Sequence, residues 1–130
     1  MDKYDKNEGH RKMEEKYKFE YAEGVEMLLK QRQALEVRKI EKGDYSACDV
    51  LIDLDRAIEE AGLNTREREI IELYLVRDWH YIDVCGKFGI QKAALSRQVS
   101  RTCGKIAAVY KKWGYGETYI KGDEGNETSA

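Results

Sequence analysis

No proline occurs anywhere in the 130-residue chain, so the commonest helix breaker is missing and long helices are permitted almost throughout. Apolar runs are short. None approaches the roughly 18 residues that a membrane helix needs, and the N-terminal MDKYDKNEGHRKMEEK is charged throughout. Neither a membrane span nor a secretory signal is expected, which points to the cytoplasm. Cysteine is sparse: Cys48, Cys85 and Cys103 lie far apart on expected apolar helix faces, without the close pairs of zinc sites or disulfide frameworks, and read as core residues. Histidine is sparser still, at His10 and His80, and there is no phosphate-cradling glycine loop, no metal-ligand cluster and no nucleophile beside a base. An enzyme is therefore not expected, nor a cofactor or a metal. Asp53 and Asp55, two apart on an expected helix, point about 200° from one another. They read as solvated surface or as an acidic patch for a protein partner.

What the chain does have is charge and helical periodicity. Charged residues make up 37% and hydrophobic residues 42%, mostly at spacings of three and four, the pattern of an all-α protein with a modest core. A formal net charge of −2 argues against nucleic-acid binding, but its distribution argues for it. Between Val84 and Gly116 there is no Asp or Glu, while Lys87, Lys92, Arg97, Arg101, Lys105, Lys111 and Lys112 are all basic. Residues 1–63, by contrast, hold sixteen acidic and twelve basic side chains. Such a basic block is where phosphate neutralisation would be wanted. A charge run is more often only a solvated helix face; its coincidence with a turn signature favours the first reading here.

That signature lies within residues 78–106, DWHYIDVCGKFGIQKAALSRQVSRTCGKI. Gly89 separates two short apolar-periodic segments where a tight turn needs a residue tolerant of positive φ, and Ile90 would plug the gap between the helices. Upstream, Ile82, Val84, Cys85 and Phe88 make one face to bury; downstream, Leu95, Val99, Cys103 and Ile106 make another. The opposite face of the second helix carries Lys92, Ala93, Ser96, Arg97, Ser100 and Arg101, small, polar or basic groups suited to a major groove. Lys105, further along, is expected to hold phosphate without reading bases.

The rest of the chain supports this stretch. Residues 1–9 read as a disordered start. Over residues 10–43 the spacing predicts a single long helix with a thin stripe of Met13, Tyr17, Tyr21, Val25, Leu28, Leu35 and Ile40, weakest at Gly24. So thin a stripe suits an arm packed on another helix or on a second copy of the chain, giving a homo-oligomer. After Gly43, Asp44 or Ser46 caps a helix to about Ala61 that buries Ala47, Val50, Leu51, Leu54 and Ile58 before Gly62 closes it. Asn64 and Glu67 form a capping-box variant ahead of a helix to about Val76, with Ile70, Ile71, Leu73, Tyr74 and Val76 inward. Trp79 is expected to pack where the next turn crosses the core, and His80 to stand at the following N-cap. Beyond Ile106 the pattern continues through Val109, Tyr110 and Trp113, in a helix either unbroken or restarted after Gly104. A domain over residues 44–113 and a flexible tail over 114–130 complete the organisation.

The run LNTREREIIELYLVRDWHYIDVCGKFGIQKAALSRQVSRTCGKI resembles region four of bacterial sigma factors in its leucine and cap, its Arg-Glu-Arg-Glu start, its Gly-Ile turn and its Ser-Arg second helix. With the preceding VLIDLDRAIEEAGLN it resembles more specifically the ArpU-like, sigma-related late transcription regulators of phages and prophages in Gram-positive bacteria. The resemblance covers roughly residues 46–113. It implies a helix-turn-helix whose second helix enters the major groove of promoter double-stranded DNA, with base contacts from Lys92, Ala93, Ser96 and Arg97, Gln91 at the N-cap on phosphate or base, and contact with RNA polymerase. Two departures matter. Gly86 stands where a polar helix former is usual, and Ala93-Ala94 leaves few hydrogen-bonding groups in the first turn, which shifts discrimination towards Arg97 and Gln91, with alanine methyls against thymine. A complete sigma factor also melts promoter DNA through a further domain, for which residues 1–45 are too short, so an accessory activator or one half of a split sigma activity is implied. Two other classes stay open: a DNA-recognition subunit of a phage packaging machine, disfavoured by the position of the reader near the C-terminus, and a sigma-like protein that binds polymerase or a sigma factor without DNA.

Overall fold

A computed structural model describes residues 18–114, and every regular element among them is helical. The expected disordered start, residues 10–17 of the expected long helix, and residues 115–130 of the expected tail lie outside the described residues. In chain order the elements are α1 (Ala22–Lys30), α2 (Arg32–Lys42), α3 (Tyr45–Glu60), α4 (Thr65–Ile71) with a π-helical continuation over Glu72–Val76, α5 (Tyr81–Phe88) and α6 (Lys92–Lys112).

Local side-chain chemistry sets most of the boundaries. Asp44 caps α3, accepting from the Ala47 backbone N–H at 3.1 Å, and also receives Arg38 at 2.8 Å. At the head of α4, Asn64 Oδ1 accepts from the Glu67 N–H at 2.8 Å while Glu67 Oε1 accepts from the Asn64 N–H at 3.0 Å, the expected reciprocal box. His80 caps α5 as expected, its Nδ1 accepting from the Ile82 N–H at 3.2 Å.

The single helix expected over residues 10–43 is, within the described residues, two helices. Tyr21 is the N-cap of the first, and Gln31 interrupts the pair, its N–H shared between the Met27 and Leu28 carbonyls at 3.1 and 3.0 Å. Neither is a detached arm. Helix α1 lies along α6 and buries Val25, Leu28 and Leu29, while Phe19 ahead of it packs on Tyr110 with ring centroids 5.1 Å apart. Helix α2 folds back on α3, held by the forked guanidinium of Arg32 on Asp55 at 2.7 and 3.3 Å, and leaves Val37 and Ile40 exposed. The stripe is thin because two short helices with different partners each need few apolar positions.

The helix after the capping box also departs from expectation. From Glu72 to Val76 it widens to π geometry, and the Arg77 N–H donates to Glu72 O, five residues back, at 2.9 Å. The run Leu73–Val76 has no polar face, and α1 and α5 pack on this segment. Leu73, Leu75 and Val76 are buried and Tyr74 half-buried, so Leu75, not expected inward, belongs to the core. Trp79, expected to pack across the core, is instead 39% exposed. Asp78 adopts a left-handed φ of 58°, tolerated by its short polar side chain, and the Trp79 N–H closes the turn on Leu73 O at 2.9 Å. Tyr81 packs against the core just beyond.

Helix α6 runs unbroken through Gly104 and buries Leu95, Val99, Thr102, Cys103, Ile106, Ala107, Val109 and Tyr110. Helices α1, α3, α4 and α5 all pack on it. Burial pushes the Cys103 thiol up to about 12, so it stays protonated at neutral pH, as a core cysteine should. No described helix is long and apolar enough to cross a membrane. The placement of α1 predicts that Leu28→Ala costs about 2–5 kcal/mol, as for a fully buried leucine. A urea titration measures it; a loss below about 0.5 kcal/mol, typical of surface positions, would mean that α1 is an arm after all.

Candidate nucleic-acid interface

Helices α5 and α6 are joined by Gly89, Ile90 and Gln91 alone. Gly89 takes φ +65°, and its N–H and that of Ile90 both reach back to Cys85 O, so two donors close the end of α5. A Cβ at Gly89 would meet nothing within 4 Å, so the backbone conformation, not crowding, demands glycine there. Ile90 tucks against the core, as expected of a plug. The buried side of α5 is Val84, with Tyr81, Cys85 and Phe88 packed beside it. That register, i, i+3, i+4, i+7, begins at Tyr81, and Ile82, expected on the buried face, is 59% exposed.

Three contacts that sequence reasoning missed brace this unit. The Lys92 ammonium sits 4.3 Å from the Tyr81 ring centroid, linking the first residues of the two helices. Arg66 donates to Phe88 O at 3.4 Å and lies over the Phe88 ring, holding the end of α5 to the start of α4. Lys105 Nζ lies 2.7 Å from Glu67 Oε2, so the capping-box glutamate also ties α4 to α6. Only the capping role of Glu67 was legible; nothing in the spacing links positions 67 and 105.

All eight expected interface residues are exposed: Gln91, Lys92, Ala93, Ser96, Arg97, Ser100, Arg101 and Lys105. They do not form one uniform surface. At about 100° per residue, Ala93, Arg97, Ser100 and Arg101 point away from the buried side of α6, and Gly104, Ala108, Lys111 and Lys112 continue that stripe. Lys92, Ser96 and Ser100 border a cleft whose opposite wall, on α1, carries Glu23 and Glu26. Lys105 is turned towards Glu67 and is part of the scaffold, not of a free phosphate-holding set. Gln91 occupies the N-cap in extended conformation and its side chain makes no capping bond, which leaves it and the first backbone N–H groups of α6 facing outward.

The block that is acid-free along the chain is therefore not acid-free in space. Lys87 pairs with Glu69 at 3.7 Å and Lys105 with Glu67 at 2.7 Å. Of the seven basic residues, that leaves Lys92, Arg97, Arg101, Lys111 and Lys112 without an ion pair among the described residues. No group of three side chains suited to hold a metal occurs among those residues. No family model, curated protein or solved structure matches the chain.

The geometry makes two predictions. Gly89→Ala should lower stability by about 1–2 kcal/mol, the cost of forcing a Cβ into the left-handed region. Gly86→Ala, within α5 with open space around its Cβ, should be neutral or gain up to about 1 kcal/mol. Chemical denaturation of both variants checks the opposite signs. The second concerns Glu67, whose carboxyl is held below its ordinary value of 4.5 first by the Lys105 ammonium and then by the Asn64 N–H. A lowered folded-state value means stability present above the ordinary range and lost as pH falls through the lowered one. The stability gap between the wild type and Glu67→Gln should accordingly narrow below pH 4.5; a gap constant down to strong acid would refute the linkage.

Proposed function

We propose that the chain is a sequence-specific transcription regulator that binds promoter double-stranded DNA through a helix-turn-helix formed by α5 and α6, of the sigma region-four-like, ArpU-type phage class. The observation that carries the reading is the exposed face of α6, where Arg97 and Arg101 stand without an ion pair beside the small residues Ala93, Ser96 and Ser100. Small side chains let the helix backbone approach base edges, and an arginine between them can span to guanine O6 and N7 in a bidentate contact. The short connection through Gly89 holds α5 against the first turns of α6, the relation a reading helix needs to its supporting helix. Gln91 and the exposed N-terminus of α6 suit a phosphate or base acceptor.

Contact with RNA polymerase belongs to the same proposal, and it has a specific support. Trp79, exposed just ahead of α5, borders a shallow surface with Asp83, Gly86 and Lys87 of that helix, and Ile82 of the same helix is exposed as well. Exposed aromatic and branched apolar side chains of this kind are typical of protein contacts. They also favour a second reading, a sigma-like protein that binds polymerase or a sigma factor without touching DNA.

Binding of the intact chain to promoter and random duplexes over a salt series separates the two. The DNA reading expects affinity that falls steeply with salt; no duplex binding at low salt would leave only the second reading. Within the first, Arg97→Ala should cost about 1–3 kcal/mol on the preferred sequence and relax preference at one base position.

A further inference from the structure

We infer that Lys111 and Lys112, at the far end of α6, form a second contact to the DNA backbone, separate from the turns that read bases. The inference rests on the DNA-binding reading above and adds residues and a function to it. Arg97 and Lys111 are fourteen residues apart, so they lie about 21 Å apart along the axis and within about 40° of one face. The major groove is only about 12 Å wide. A straight helix whose first turns occupy the groove cannot follow it round the duplex, so its last turn lies over the phosphates that form the groove wall.

Charge points to the same end of the helix. On one flank of α6 the wall of α1 presents Glu23 and Glu26 beside Lys92, which excludes phosphate from that side. On the other flank Lys105 is neutralised by Glu67. Beyond Arg97 and Arg101, the cations of α6 that keep their full charge outward are Lys111 and Lys112, both exposed and without an ion pair among the described residues. Between the two basic pairs stand Gly104 and Ala108. Neither carries a side chain long enough to hold the duplex away. Lysines in a last turn also complement the helix dipole, and that role alone would affect stability without affecting DNA.

The test compares the full-length wild type, Lys111→Gln/Lys112→Gln, Lys111→Arg/Lys112→Arg and Arg97→Ala on a set of labelled duplexes of differing sequence across a salt series, with thermal unfolding run alongside. The glutamine pair should weaken binding to every duplex by one common factor, on the order of tenfold at low salt, and flatten the log–log salt slope by up to about 1.8. Ratios between duplexes should stay as in the wild type, and the arginine pair should restore both affinity and slope. Arg97→Ala should instead change those ratios. A glutamine pair that matches the wild type in affinity and slope, on a wild type that does bind duplex, overturns this inference and leaves the DNA reading standing. Wild-type protein that ignores duplex at low salt overturns both.

Discussion

Packing of one side of α6 against four neighbouring helices is the constraint from which the rest of the molecule follows. Eight residues of that helix are buried, from Leu95 to Tyr110. Whatever the helix presents to a partner must therefore come from the opposite side. This division leaves no freedom to rotate the exposed stripe: turning α6 about its axis would put Arg97 or Arg101 into the core at the cost of an unpaired buried charge. The scaffold thus sets the orientation of the arginines through hydrophobic burial some distance from them.

Anchoring at the two ends of α6 reinforces this. At its start, the Gly89 turn and the Lys92–Tyr81 contact fix the direction in which the helix leaves α5. Towards its end, the Trp113 indole N–H donates to Glu60 at 3.3 Å, Arg56 lies over the same ring, and Tyr110 packs between Phe19 and Trp113. Midway, Glu67 serves two elements at once, capping α4 and receiving Lys105 from α6. A carboxylate shared in this way is worth more to geometry than to net stability, because exposed ion pairs contribute only about 0–1 kcal/mol.

Electrostatics then select the surface left for a partner. Acids of α4 take Lys87 and Lys105, and acids of α1 line the cleft beside Lys92 and Ser96. What remains positive and outward on α6, clear of that cleft and without an ion pair among the described residues, is a narrow band from Arg97 to Lys112. A chain with a net charge of −2 can carry such a band because its acids are placed on neighbouring helices and not on α6 itself.

By itself the sequence determined what depends on neighbours along the chain. Apolar spacing identified the helical class and most inward residues of α3 and α6, while Ala57, Thr102 and Ala107 are buried without having been expected to be and Ile58 is only half-buried. Short-range hydrogen-bonding chemistry identified the Asn64 and His80 caps and left Asp44 and Ser46 as alternatives, of which the structure uses Asp44. The need for positive φ located Gly89. Tertiary structure decided what depends on partners far apart in sequence. It split the expected N-terminal helix at Gln31 and bound α1 into the core, because a thin stripe cannot say which surface will cover it. It opened the apolar run Leu73–Val76 into a π turn between two helices, a geometry that a period of 3.6 does not distinguish. It brought Trp79 and Ile82 to the surface, through a backbone closure at Asp78 and a register that starts at Tyr81. Most consequentially for the candidate interface, it placed Glu23, Glu26, Glu67 and Glu69 among the lysines of a stretch that contains no acid of its own. Charge acts through space over several ångströms while sequence orders it along the chain, and only the fold converts one into the other.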